Sequence, residues 1–166
     1  MILGSGGIIS SGLQKMLKER RIKIMSIGRS KLDLKKENAS KKLKKKIKNN
    51  DVVIFIAAEV PVKNIEMFIN NIKICKTVCD TLEKKKIKHL VYISSDAIYA
   101  DVKGKISEKS IASPNSLHGL MHLTRESMLK NKFEKILCIL RPTLIYGPGD
   151  THNGYGPNRF INLALK

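Results

Sequence analysis

Two features of the sequence have residue types and spacing that can do chemistry. Near the start, Gly4-Ser5-Gly6-Gly7 follows the apolar Ile2-Leu3 directly and opens onto a helical pattern of Ile8, Leu13, Met16 and Leu17. Glycines let a turn close tightly and let the backbone approach a phosphate, while the helix behind it presents unpaired N–H groups to that charge. Such a turn between a first strand and a helix is a site for the pyrophosphate of a dinucleotide. The second feature is His118 and His122, spaced to lie on one face of a helix. An imidazole titrates near about pH 6.5 and exchanges a proton at neutral pH without an activating neighbour. Two histidines at this spacing can also share a zinc ion, but no Glu follows His118 and no third ligand is evident, so no metal is expected. His152, in a Gly- and Pro-rich stretch, is either a substrate contact or a plain loop residue.

These groups need elements to position them, and the sequence alternates strand and helix patterns. Residues 22–27 alternate apolar and polar, which predicts a strand ending at Gly28-Arg29-Ser30, with Leu32-Asp33-Leu34 as a short further one. The lysine-rich stretch 35–48 carries Leu43 and Ile47 at helical spacing, enough to tether one turn. The continuous apolar run at 51–58 predicts a strand buried on both faces. A long helix over 63–86 bears Ile65, Phe68, Ile72, Cys75, Cys79 and Leu82 in one stripe. That stripe either packs the core or pairs two subunits as a homodimer through this helix. Strands at 89–94 and 136–141 and helices at 116–130 and 158–166 complete the order. Without hairpin signals between them, they predict a doubly wound parallel α/β sheet with helices on both faces, built as one domain over 1–166.

A length of 166 residues suits one domain with a proper core, and 42% hydrophobic residues exclude a disordered chain. No apolar run is long enough to span a bilayer and no cleavable leader is visible, so a cytoplasmic address is expected. The three cysteines form no disulfide framework and read as buried free thiols. A net charge of +18 and a pI near 10.0 raise nucleic acid as a partner. The excess is nearly all lysine, however, with no Trp and only 5% aromatic residues. Arginine forks and stacking rings are scarce, so a solvated lysine surface is favoured over nucleic-acid binding.

Four segments in order resemble the extended short-chain dehydrogenase/reductases of the NAD-dependent epimerase/dehydratase group. They are ILGSGGIISSGL, DVVIFIAA, HLVYISSDAIYAD and LRPTLIYGPGD. The resemblance implies a Rossmann-type fold, a nicotinamide dinucleotide cofactor and epimerase, dehydratase or reductase chemistry on a nucleotide-linked sugar. By position, Gly4 and Gly7 would be the first two glycines of the turn, and Ile8 would cap the pyrophosphate. Ser10 stands where a third glycine is usual, tolerated because close helix-to-strand packing needs a small residue. After the second strand an acid would accept from the ribose 2′-hydroxyl. Gly28 instead leaves room and Arg29 can pair with a 2′-phosphate, so NADP is favoured over NAD. Asp33 would face the adenine, and Ala57 and Ala58 would line the cofactor cleft.

Ser95 matches the family's Ser or Thr that bonds the substrate oxygen. The family's catalytic Tyr and Lys fall on His118 and His122. A phenol needs a cation beside it at neutral pH and an imidazole does not. The resemblance therefore implies His118 as general acid/base and His122 as a neutral hydrogen-bond donor to the nicotinamide ribose. Cofactor binding without turnover is the competing expectation. Arg125 and Glu126 are expected to form a structural ion pair. Family members carry a C-terminal substrate lobe, so this sequence is expected to be truncated at both ends and to lack it.

Overall fold

The computed structural model describes residues 1–100, 104–147 and 156–165. Its strands are β1 (Ile2–Leu3), β2 (Ser26–Ile27), β3 (Val52–Phe55), β4 (His89–Ile93) and β5 (Leu137–Leu140). Its α-helices are α1 (Ile8–Glu19), α2 (Ala39–Lys46), α3 (Ile65–Leu82), α4 (Leu117–Phe133) and α5 (Gly156–Ala164). The strands form one five-stranded sheet in the order β2-β1-β3-β4-β5, and every pairing is parallel. The chain steps from β1 outward to β2, then crosses back to β3 on the other side of β1. The winding direction therefore reverses at β1, and a crevice opens beyond the carboxyl ends of the strands there.

Val53, Phe55, Leu90 and Tyr92 point to one face of the sheet and are buried against Leu43 of α2, Cys75, Val78 and Leu82 of α3, and Leu129 and Phe133 of α4. Burial of each large apolar side chain of this kind contributes roughly 1.5–3 kcal/mol. The opposite face is covered less. Val52 is exposed and Ile54, Val91 and Ile93 are only half-buried. The run at 51–58 is thus not buried on both faces as its composition predicts, because α2, α3 and α4 all serve one side.

Residues 32–34 do not form a strand. Lys31 and Leu32 N–H both donate to the Gly28 carbonyl at 3.0 Å, so the chain turns at once after β2. Leu32 and Leu34 still enter the core, from a loop. An alternating pattern reports which side chains are buried, and an irregular segment can satisfy it as well as a strand. β2 itself is cut to two residues, since β1 offers only Ile2 and Leu3 as partners. α3 ends at Leu82, where Glu83, Lys84 and Lys85 close successive turns. Of its apolar stripe, Cys75, Cys79 and Leu82 are buried within the chain and Ile65 stays exposed. All three cysteines are free, with Cys75 and Cys79 buried and Cys138 half-buried. No described helix is long and apolar enough to cross a membrane.

Candidate functional site

The crevice begins at the glycine turn. Gly4 has φ +104°, and a Cβ there would lie 2.6 Å from the Ala57 backbone nitrogen, so no other residue fits without moving β3. The Leu3 carbonyl accepts from both Ile56 N–H at 2.8 Å and Ala57 N–H at 2.7 Å, which draws the end of β3 over the turn. Gly7 N-caps α1 in extended backbone, and among the described residues no side chain caps that helix. By contrast, Asn64 Oδ1 accepts from Met67 N–H at the start of α3, and Ser116 Oγ accepts from Gly119 N–H at the start of α4. Among the described residues, a Cβ on Gly6 or Gly7 would meet nothing within 4 Å. An uncapped helix start with open space above a glycine turn fits a pyrophosphate.

Ser10 proves to be more than a tolerated substitute. It is fully buried, its Oγ donates to the Gly4 carbonyl at 2.6 Å, and Gln14 Nε2 donates to it at 3.1 Å. The hydroxyl ties the first turn of α1 to the glycine turn. From the other side the loop after β5 returns to Ile8, since a Cβ on Gly147 would sit 3.8 Å from Ile8 Cδ1. The rest of that loop, including His152, lies outside the described residues.

Gly28 packs against the same turn, where a Cβ would overlap the Ser5 hydroxyl. Next to it the exposed Arg29 side chain lies 3.8 Å from Asp33 and 3.4 Å from Glu59. Asp33 Oδ1 also accepts from Lys35 N–H at 3.0 Å and shapes the loop before α2. Glu59, from the loop between β3 and α3, has no signal in its own sequence neighbourhood.

Ser95 and His118 come from different elements that Gly119 brings together. Ser95 caps a short 3₁₀ turn, Asp96–Ile98, accepting from Ala97 N–H at 3.2 Å and lying 3.2 Å from Asp96 Oδ1. A Cβ on Gly119 would overlap the Ala97 carbonyl oxygen and lie 2.8 Å from its carbon. The first turn of α4 can press on the Ser95 loop only because that Cβ is absent.

His118 is half-buried, and its Nδ1 is buried with no hydrogen-bond partner among the described residues. Burial lowers its pKa, and Asp96 opposes the shift. His122 packs edge-on against it with ring centroids 4.9 Å apart. Burial, followed by the charges of Arg125 and His118, pushes His122 down to about 3, so the ring is neutral at neutral pH. Its Nδ1 lies 2.8 Å from the Tyr92 hydroxyl. Burial also pushes that phenol up, so it keeps its proton. The hydroxyl hydrogen has no other acceptor among the described residues, which leaves Nδ1 accepting and Nε2 carrying the hydrogen.

Arg125 and Glu126 do not pair with each other. Consecutive residues on an α-helix point about 100° apart. Arg125 is fully buried beneath the site, with Nη2 donating to the Ala57 carbonyl at 2.8 Å and its guanidinium 4.3 Å from the Phe55 ring centroid. Glu126 turns the other way and receives Arg141 through Nε at 3.0 Å and Nη2 at 2.7 Å, with Ser94 Oγ donating at 2.6 Å. Burial works against the Glu126 charge, but hydrogen bonds from Arg141 and Ser94 outweigh it and hold the carboxyl below its usual range. Arg141 also donates to the Tyr99 hydroxyl, so α4 and the ends of β4 and β5 are tied at one point. Tyr92, Gly119 and Arg141 carry this arrangement, and none has a local sequence pattern that marks it.

The family model of the NAD dependent epimerase/dehydratase family matches residues 1–166. A Bacillus subtilis (strain 168) protein named as an uncharacterized UDP-glucose epimerase is 26% identical over 179 residues, covering 89% of this chain and 57% of its own length. A dTDP-4-dehydrorhamnose reductase from Clostridium acetobutylicum superposes with a TM-score of 0.82 at 25% identity, over 99% of this chain and 58% of that one. A UDP-glucuronic acid 4-epimerase from Bacillus cereus, solved with UDP-glucuronic acid and NAD, gives a TM-score of 0.81 at 22% identity, over 99% and 62%. The chain thus spans somewhat more than half the length of these proteins. A match along every residue, on a parallel sheet whose first strand ends in an uncapped glycine turn, places the chain in the NAD dependent epimerase/dehydratase family.

Proposed function

We propose that residues 1–166 form the dinucleotide-binding domain of a cytoplasmic NAD(P)-dependent epimerase, dehydratase or reductase acting on a nucleotide-linked sugar. The named relatives act on UDP- and dTDP-linked sugars, which supports that substrate class. The start of α1, with Gly4, Gly7 and Ile8, holds the pyrophosphate, and Ala57 and Ala58 line the cleft. Asp33 stands at the adenine end. The finer preference for NADP rests on Arg29, because no acid stands at the end of β2 and the exposed guanidinium, now facing Asp33 and Glu59, can turn toward a 2′-phosphate. The bound nicotinamide supplies hydride exchange. The chain's own residues supply the rest: Ser95 polarises the substrate oxygen, His118 moves its proton, and His122 offers Nε2–H to the nicotinamide ribose. Ile65 and Ile69, exposed on α3, support pairing of two copies through that helix.

One observation carries the acid/base role, the half-buried ring of His118 on the turn of α4 that packs against the Ser95 loop. Burial keeps that imidazole neutral at neutral pH, so it can take a proton from a reacting hydroxyl. The expected outcome for His118→Ala, in a version carrying the family's substrate lobe, is loss of turnover with NAD(P)H affinity kept within about twofold. Unchanged turnover refutes the role. A catalytically silent binding protein is the second reading. It is favoured by His122, which commits Nδ1 to Tyr92 and brings no fixed charge to the position of the family's lysine. Reduction of bound NADP by a nucleotide sugar would exclude it.

A further inference from the structure

The acid missing from the end of β2 is supplied by another part of the fold. Glu59 follows Ala57 and Ala58, and its main chain is clamped by a single buried side chain. Its N–H donates to Asn71 Oδ1 at 3.0 Å, and Asn71 Nδ2 donates back to its carbonyl at 2.9 Å. The clamp aims the carboxylate at the loop after β2, where it is only 18% exposed. There Lys35 Nζ donates to Oε1 at 2.7 Å, Arg29 Nη1 lies 3.4 Å from the same oxygen, and Asn70 Nδ2 donates to Oε2 at 3.0 Å.

An ionised carboxylate offers about four acceptor positions, so these three contacts leave one open on Oε2. The corner also balances in charge, with Arg29 and Lys35 facing Asp33 and Glu59. A 2′-phosphate brings about −1.5 to −2 charges to such a corner, and Arg29 cannot serve it fully while paired with Glu59. A 2′-hydroxyl brings no charge and one donor, which matches the open position.

We infer that Glu59 sets cofactor choice: its carboxylate accepts from the 2′-hydroxyl of the adenosine ribose and, by pairing Arg29 and Lys35, weakens the hold on a 2′-phosphate. The inference rests on the dinucleotide site proposed above and qualifies its preference for NADP. Arg29 draws the phosphorylated cofactor, and Glu59 keeps the unphosphorylated one competitive.

The test is titration of NADH and NADPH into the purified chain by calorimetry, for the parent, Glu59→Gln and Arg29→Ala. Glu59→Gln is close to isosteric and leaves the Asn71 clamp, which involves only backbone atoms of Glu59. Arg29 is exposed, so its removal leaves the core untouched. Glu59→Gln is expected to tighten NADPH relative to NADH by about tenfold, and Arg29→Ala to move the ratio by a similar factor the other way. A parent that binds cofactor while Glu59→Gln leaves the ratio unchanged overturns the inference alone. A parent that binds neither cofactor overturns the dinucleotide site and this inference with it.

Discussion

Replacing Gly119 with Ala adds one methyl group where α4 crosses the Ser95 loop. The new Cβ would overlap the Ala97 carbonyl oxygen, lie 2.8 Å from the Ala97 carbonyl carbon and lie 2.9 Å from Pro114 Cβ. Two of those neighbours are backbone atoms of a capped 3₁₀ turn, so they cannot swing aside as a side-chain end would. Helix propensity works the other way and favours Ala over Gly by about 1 kcal/mol. Overpacking costs typically about 1–3 kcal/mol. If the helix start shifts to relieve the overlap, the Ser116 cap is strained as well, at about 1 kcal/mol. The steric term therefore wins, with a net loss of about 1–3 kcal/mol. For a chain of this size a loss of 2 kcal/mol lowers Tm by about 4–8 °C. Urea denaturation followed by circular dichroism measures it, as a lower midpoint with an unchanged slope. The same shift would move His118 away from Ser95, so turnover should fall more than cofactor binding. A variant as stable as the parent, or more stable, would refute the claim that this close approach positions the two residues.

Two further outcomes follow from the buried groups. His122 titrates near about 6.5 when unfolded and is pushed to about 3 in the fold, so the unfolded chain binds more protons between those values. Stability present above about pH 6.5 is lost as pH falls toward 3, by about 1–2 kcal/mol between pH 7 and 5. His122→Gln should flatten that limb in urea titrations at both pH values, and an identical slope in parent and variant would count against a neutral buried imidazole. Glu126→Gln removes the carboxylate that Arg141 grips through two nitrogens. It should cost about 2–3 kcal/mol in chemical denaturation, and a loss below about 0.5 kcal/mol would place the pair among weak surface contacts.

The parts of the site that were legible in the sequence are those fixed by local spacing. Gly4 and Gly7 sit between a strand and a helix within a few residues, and His118 and His122 share a helix face whatever surrounds them. Rhythm also located every strand of the sheet, because burial of alternate or successive residues repeats along the chain. The same rhythm misplaced a strand at 32–34, where Leu32 and Leu34 are buried from a loop. It also gave β3 two covered faces when one is thinly covered. Rhythm records burial, and hydrogen-bonded pairing depends on a neighbour being present.

By itself, then, the sequence determined a parallel α/β sheet, a glycine turn at the end of its first strand and two histidines on one helical face. Tertiary structure alone decided what those groups touch. It made Ser10 a latch on Gly4, sent Arg125 under Ala57 while turning Glu126 to Arg141, and left His118 Nδ1 without a partner among the described residues. It also carried Glu59 to Arg29 across 30 residues of chain. The physical reason is common to all of these. A side chain's period along the chain follows from backbone geometry, whereas its partner depends on how separate elements pack and on which atoms are missing at the contact. Gly119 is the plainest case, since the helix that carries His118 and the loop that carries Ser95 pack where a Cβ is absent.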